Sequence, residues 1–116
     1  MSVSEMRYYE VQTRLDARNV RKIIDLGCSE GLFLQRLSRS ETYTRLVGVD
    51  IDNELLEATT RWNVMPEALQ NDIKYRRTEP LLLELYQGDI LQPSEEVKSI
   101  INEADSSNFP TAITLI

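Results

Sequence analysis

The 116-residue chain is 41% apolar and 28% charged, an ordinary composition for one small domain with a single core. Its 19 acidic residues against 13 basic ones leave a formal charge of −6, so no broad positive field gathers a polyanion and any nucleic-acid contact has to be local. One cysteine, Cys28, allows no internal disulfide, and the absence of histidine excludes a Ser-His-Asp triad, a Cys-His pair or a His-ligated zinc built from this sequence.

Residues 1–10 carry charges and tyrosines where a signal peptide needs an apolar stretch, and no run is long enough to span a bilayer; a cytoplasmic or nuclear location is the expectation. Met6, Tyr9, Val11 and Leu15 recur at helical spacing over residues 5–18. Residues 20–26 form an apolar run of strand length, the pattern of a buried parallel strand. It empties into a glycine-bracketed turn, Gly27-Cys28-Ser29-Glu30-Gly31, and residues 32–38 suit a helix packed back on the strand. Such a βα turn lets backbone N–H groups approach a ligand closely, with glycine where a Cβ would obstruct.

Residues 44–51 read as a second strand ending in Asp50, with Asp52 and Asn53 as N-caps for a helix over 54–60. Trp62 reads as a packing residue, and residues 66–73 are compatible with a short helix opened by Pro66. Lys74, Arg76 and Arg77 form a compact basic cluster able to meet phosphates, although a basic trio in a loop is ordinarily solvated surface. A third strand is expected at 81–86, closed by Gln87-Gly88-Asp89-Ile90, then a helix from Pro93 to about 104, a loop over 105–110 and a fourth strand from 111 to 116. Strand-helix units without hairpin turns predict an α/β fold with a parallel sheet. A sheet whose last strand lies at the terminus has an apolar edge without a neighbour, so the expectation is the N-terminal part of a longer protein.

Asp25, Asp50 and Asp89 fall in or just beyond three successive strands, and in a parallel sheet the C-terminal strand ends line one crevice. Asp50 follows Gly31 by 19 residues, a placement suited to accepting from two ribose hydroxyls. Asp89 is suited to an exocyclic amine and Asp25 to a cationic amino group. A dinucleotide fingerprint needs a third glycine that is missing here, and Asp25 and Glu30 would oppose a pyrophosphate at a cost of about 1 kcal/mol per close like-charged pair. A ligand with ribose and adenine but no phosphate, bearing an amine and a sulfonium, fits better, which describes S-adenosylmethionine. Taken singly, each acid also reads as a cap or turn residue, the glycines as turn punctuation, and Cys28 as a small buried apolar side chain.

Asp25-Leu26-Gly27-Cys28 with Gly31, Val47-Gly48-Val49-Asp50-Ile51, and Leu85-Tyr86-Gln87-Gly88-Asp89-Ile90 resemble the successive cofactor motifs of Rossmann-like class I methyltransferases. With Arg61-Trp62 and an Arg7-Tyr8 pair preceding Val11, they resemble more narrowly the small-RNA 2′-O-methyltransferases that act on the 3′-terminal nucleotide of silencing RNAs. The resemblance implies that residues 1–116 are the cofactor-binding part of one methyltransferase domain, with Asp25, Gly27, Cys28, Gly31, Asp50, Ile51, Asp89 and Ile90 around the cofactor. It also implies a single-stranded small RNA as substrate, an Argonaute- or Piwi-type partner, and a divalent ion, Mg or Mn. The family's metal ligands follow the strand that here runs to Ile116, so this segment is expected to hold cofactor without turnover. Ser29 departs from the family, which usually has glycine there. A class I methyltransferase with another acceptor and a truncated, non-catalytic isoform remain open as alternatives.

Overall fold

A computed structural model describes residues 2–64, 71, 77, 79–103 and 111–115. Four parallel strands form one sheet: β1 (Lys22–Leu26), β2 (Arg45–Asp50), β3 (Leu82–Gln87) and β4 (Thr111–Thr114), in the spatial order β3-β2-β1-β4. Lys22 is level with Arg45 and Thr111, and Arg45 with Leu82, so β1 lies inside the sheet and the strands' C-terminal ends emerge on one side.

Both faces of the sheet are covered, which is why β1 and β2 read as nearly continuous apolar runs rather than alternating ones. One face, carrying Ile23 and Leu46, packs against Leu15 of α1 (Val3–Ala17), Phe33, Leu34 and Leu37 of α2 (Leu32–Ser38) and Leu56 of α3 (Asn53–Ala58). The opposite face, carrying Ile24, Val47 and Val49, packs against Val97 and Ile100 of α4 (Glu95–Glu103). Each fully buried aliphatic side chain contributes roughly 1.5–3 kcal/mol. Among the described residues no helix is long and apolar enough to cross a membrane.

The helix ends follow local chemistry. Ser2 caps α1 by accepting from the Glu5 amide at 3.1 Å, which starts that helix two residues earlier than its apolar spacing indicates. Asp52 caps α3 through the amides of Glu54 and Leu55. α4 opens at Glu95 rather than at Pro93, with Ser94 accepting from the Val97 amide at 3.3 Å. Beyond α3 the chain continues as a π-helical segment, Thr59–Val64, where an ordinary helix to residue 60 was expected. Most of the expected helix at 66–73, the side chain of Trp62, Lys74, Arg76, the loop at 105–110 and Ile116 lie outside the described residues.

Arg77 corrects the expectation of a solvated basic cluster. Its guanidinium is turned inward and donates to the carbonyls of Ser38 at 2.9 Å, Ser40 at 2.6 Å and Tyr43, closing the C-terminal end of α2, where helix carbonyls lack partners. Burial pulls its pKa down, with Glu41 pushing partly back. The buried Tyr43 hydroxyl donates to Asp16 and ties the same loop to α1. Arg77 is therefore a structural clamp, not a phosphate contact.

Gly48 lies at the crossing of strand and helix in the middle of β2. A Cβ there would stand 2.7 Å from Leu34 Cδ1 and 2.9 Å from both Cys28 Sγ and Leu85 Cδ2. All three neighbours are packed in the core, so none yields freely. Gly48→Ala should lower unfolding free energy by about 1–3 kcal/mol in urea titrations, the usual range for overpacking; an unchanged midpoint would contradict this packing.

Candidate active site

The turn between β1 and α2 is shaped by three left-handed residues, Gly27 (φ 73°), Ser29 (φ 55°) and Gly31 (φ 80°). Four of its amides do not stand open to a ligand, contrary to the expectation for this βα turn. Those of Gly27 and Cys28 donate to the Val49 carbonyl at 2.7 and 3.0 Å, that of Ser29 to Asp50 Oδ2 at 2.8 Å, and that of Gly31 to the Cys28 carbonyl at 3.0 Å. The turn is hydrogen-bonded onto the end of β2, and what it offers a ligand is clearance. Among the described residues, a Cβ on Gly27 would meet only Leu115 Cδ1, at 3.8 Å.

Asp50 holds this geometry. It is 8% exposed, Oδ2 accepts the Ser29 amide, Oδ1 accepts the Asp52 amide at 2.9 Å, and its carbonyl accepts the Gly88 amide at 3.0 Å. A carboxylate has about four acceptor positions, so two remain for a ligand's hydroxyls.

Asp25 falls inside the first strand, as the sequence pattern indicated, one residue before its end. It lies within β1, 3% exposed, level with Thr114 of β4, whose hydroxyl donates to Asp25 Oδ1 at 2.9 Å. Burial pushes its pKa up to about 6; the Thr114 hydrogen bond opposes this and the nearby charge of Asp50 adds to it. A buried carboxylate with a second one close by is a place that favours a cation.

Cys28 is buried, and burial, followed by the charges of Asp25 and Asp50, pushes its thiol up to about 12. It packs against Gly48 and has no nucleophilic character. Asp89 lies two residues beyond β3, with Oδ1 accepting the Leu91 amide at 2.9 Å in a local turn. Ile51 and Ile90 flank the strand ends with exposed apolar side chains, and Glu30 is exposed. Thus Asp25, Cys28 and Asp50 are brought together with the turn, and the loop that carries Asp89 is joined to Asp50 by the Gly88 backbone hydrogen bond.

One residue of this site has no signal in the sequence. Thr59 is fully buried behind the turn, and its side chain occupies the space beside Gly31, where a Cβ would come within 2.3 Å of Thr59 Cγ2. Gly31 is therefore required both by its left-handed φ and by its neighbour.

The fold is that of the Rossmann-like class I methyltransferases. The crystal structure of the methyltransferase domain of bacterial CtHen1 (the CN form) matches with a TM-score of 0.66 over 97% of this chain and 50% of that one, at 22% identity. The C form of that domain matches with a TM-score of 0.60 over 82% and 45%, at 24% identity.

In sequence, the chain is similar to small RNA 2′-O-methyltransferases. It is 38% identical over 98 residues to that of Tetrahymena thermophila, covering 84% of this chain and 23% of the relative. It is 35% identical over 100 residues to that of Drosophila melanogaster, covering 83% and 25%, and 32% identical over 88 residues to that of Xenopus tropicalis, covering 76% and 23%. The chain thus spans about a quarter of the length of these relatives. No protein-family model matches it.

Two measurements test the site without any ligand. With Asp25 near 3.8 unfolded and about 6 folded, the folded state keeps the proton longer, so its contribution is neutral below pH 4 and destabilising as pH rises through 6. Asp25→Asn, which still accepts from Thr114, should stabilise the protein by roughly 3 kcal/mol at pH 8 and by little at pH 4, from the 1.36 kcal/mol per pKa unit of this shift. Equal gains at both pH values would rule out a desolvated carboxylate. Ser29→Gly should raise stability by about 1 kcal/mol, since a left-handed φ costs a side-chain-bearing residue that much; thermal melts showing a loss would contradict the strained turn.

Proposed function

We propose that the chain forms the S-adenosylmethionine-binding part of a methyltransferase acting on the 2′-hydroxyl of the 3′-terminal nucleotide of small RNAs. The observation that carries this reading is the similarity to three small RNA 2′-O-methyltransferases over 76 to 84% of the chain. The donor set at the strand ends fits the cofactor. Asp25 is a buried carboxylate whose ionised form an ammonium would restore, and the clear space over Gly27 admits a ligand to it. Asp50 retains acceptor capacity for a vicinal diol, and Asp89 for an exocyclic amine. Ile51 and Ile90 supply apolar surface for the faces of a base. The cofactor itself brings a methyl group already activated on a sulfonium, so the chain's task is to bind and orient it.

A ribose hydroxyl needs a base or a metal to become a good nucleophile. The reading includes a divalent ion in the whole enzyme, but among the described residues no three acidic, cysteine or histidine side chains converge to hold one.

Titration calorimetry of the purified chain with S-adenosylhomocysteine tests the reading. We expect binding, weakened at least tenfold in Asp50→Ala, which removes both the diol acceptors and the Ser29 tether. We also expect no methylation of a single-stranded small RNA by the chain alone. A folded sample that gives no binding refutes cofactor binding, and turnover refutes the division of labour.

A further inference from the structure

Ser29 is the one residue with a side chain that the turn forces into the left-handed region, and such a conformation persists only where its surroundings over-determine it. Its amide is held by Asp50 Oδ2. Its carbonyl is held from the opposite side by Thr59, whose Oγ1 lies 3.1 Å away across 30 residues of sequence.

The Thr59 hydroxyl has one proton and two carbonyls in reach, Ser29 at 3.1 Å and Leu55 at 2.9 Å. A threonine inside a helix ordinarily gives its proton to the carbonyl four residues back. Here the Leu55 carbonyl already accepts the Thr59 backbone amide, whereas the other donor described at the Ser29 carbonyl is the weak Cys28 thiol at 3.9 Å. The proton therefore matters most at Ser29. Thr59 also begins the π-helical segment, a rare departure from α-helical pairing that is frequently found at functional sites. Its γ-methyl closes on Gly31 at the far end of the same turn.

We infer that Thr59 is a positioning residue for the cofactor turn, its hydroxyl fixing the Ser29 carbonyl, while Asp50 fixes the amide, in the orientation that receives the amino-acid end of an adenosyl-sulfur cofactor. This rests on the proposed function and assigns a new residue to the same site. Thr59 touches no reacting atom; it acts through Ser29 and Gly31.

Calorimetric titration with S-adenosylhomocysteine of wild type, Thr59→Val and Thr59→Ser separates a positioning role from plain packing. Valine keeps the shape and loses the proton, and should bind about five- to tenfold more weakly, with the amide resonances of Ser29 and Gly31 displaced in a nitrogen-proton correlation spectrum. Serine keeps the proton, and should bind within about twofold of wild type. Wild-type affinity in Thr59→Val, or Thr59→Ser as weak as Thr59→Val, overturns the inference while leaving cofactor binding intact. A folded wild type that binds nothing overturns the cofactor reading and this inference together. Should Thr59→Val not fold, Thr59→Cys, a weak donor, takes its place with the same expected loss and the same overturning result.

Discussion

The pair of hydrogen bonds accepted by the Asp50 carboxylate is the constraint on which the rest of the site depends. One oxygen holds the Ser29 amide and the other the Asp52 amide, so one side chain fixes both the turn that follows β1 and the start of α3. Its backbone carbonyl takes the Gly88 amide, which places the loop after β3 as well. Three connections are thus registered on the last residue of one strand. Because both side-chain oxygens are engaged before any ligand arrives, the carboxylate is pre-oriented, and a ligand need not order it.

The electrostatics of the same end run against stability. Asp25 and Asp50 repel each other in a partly desolvated place, and the protein tolerates this because the sheet and its helices bury enough apolar surface elsewhere. A site that waits for a cation is expensive without one. By contrast, the Arg45–Glu84 pair between β2 and β3, with Nε to Oε1 at 2.8 Å, is self-sufficient: burial works against the Glu84 carboxylate, but hydrogen bonds from Arg45 and Tyr86 and the charges of Arg45 and Lys22 outweigh it and hold its carboxyl below the usual range. The two carboxylates belong to one sheet and differ in what satisfies them.

Features set by near neighbours were legible in the sequence. α2 runs over the residues its apolar run indicated, Asp52 caps α3, and β2 ends on its acid, because each depends on residues within one or two turns. What escaped the sequence depends on distant partners. Arg77 looked like surface charge until the carbonyls of Ser38, Ser40 and Tyr43 were seen to converge on it, and Thr59 is a common residue whose role exists only because Ser29 and Gly31 come to meet it. Asp25 was legible as part of the first strand, but nothing local announces that Thr114 of β4 will pair with it.

That cover has a kinetic side. β1 acquires its neighbour β2 through a short crossover, but the Thr114 hydroxyl reaches Asp25 only across 89 residues of chain. Contacts of such long separation carry a large loop-closure cost and tend to form late in folding. The turn and its Asp50 anchor are made of nearer contacts and can assemble first. The desolvated carboxylate, the feature that would discriminate for an amine, is completed when β4 docks. Ligand selectivity and the docking of β4 are therefore coupled in time as well as in space.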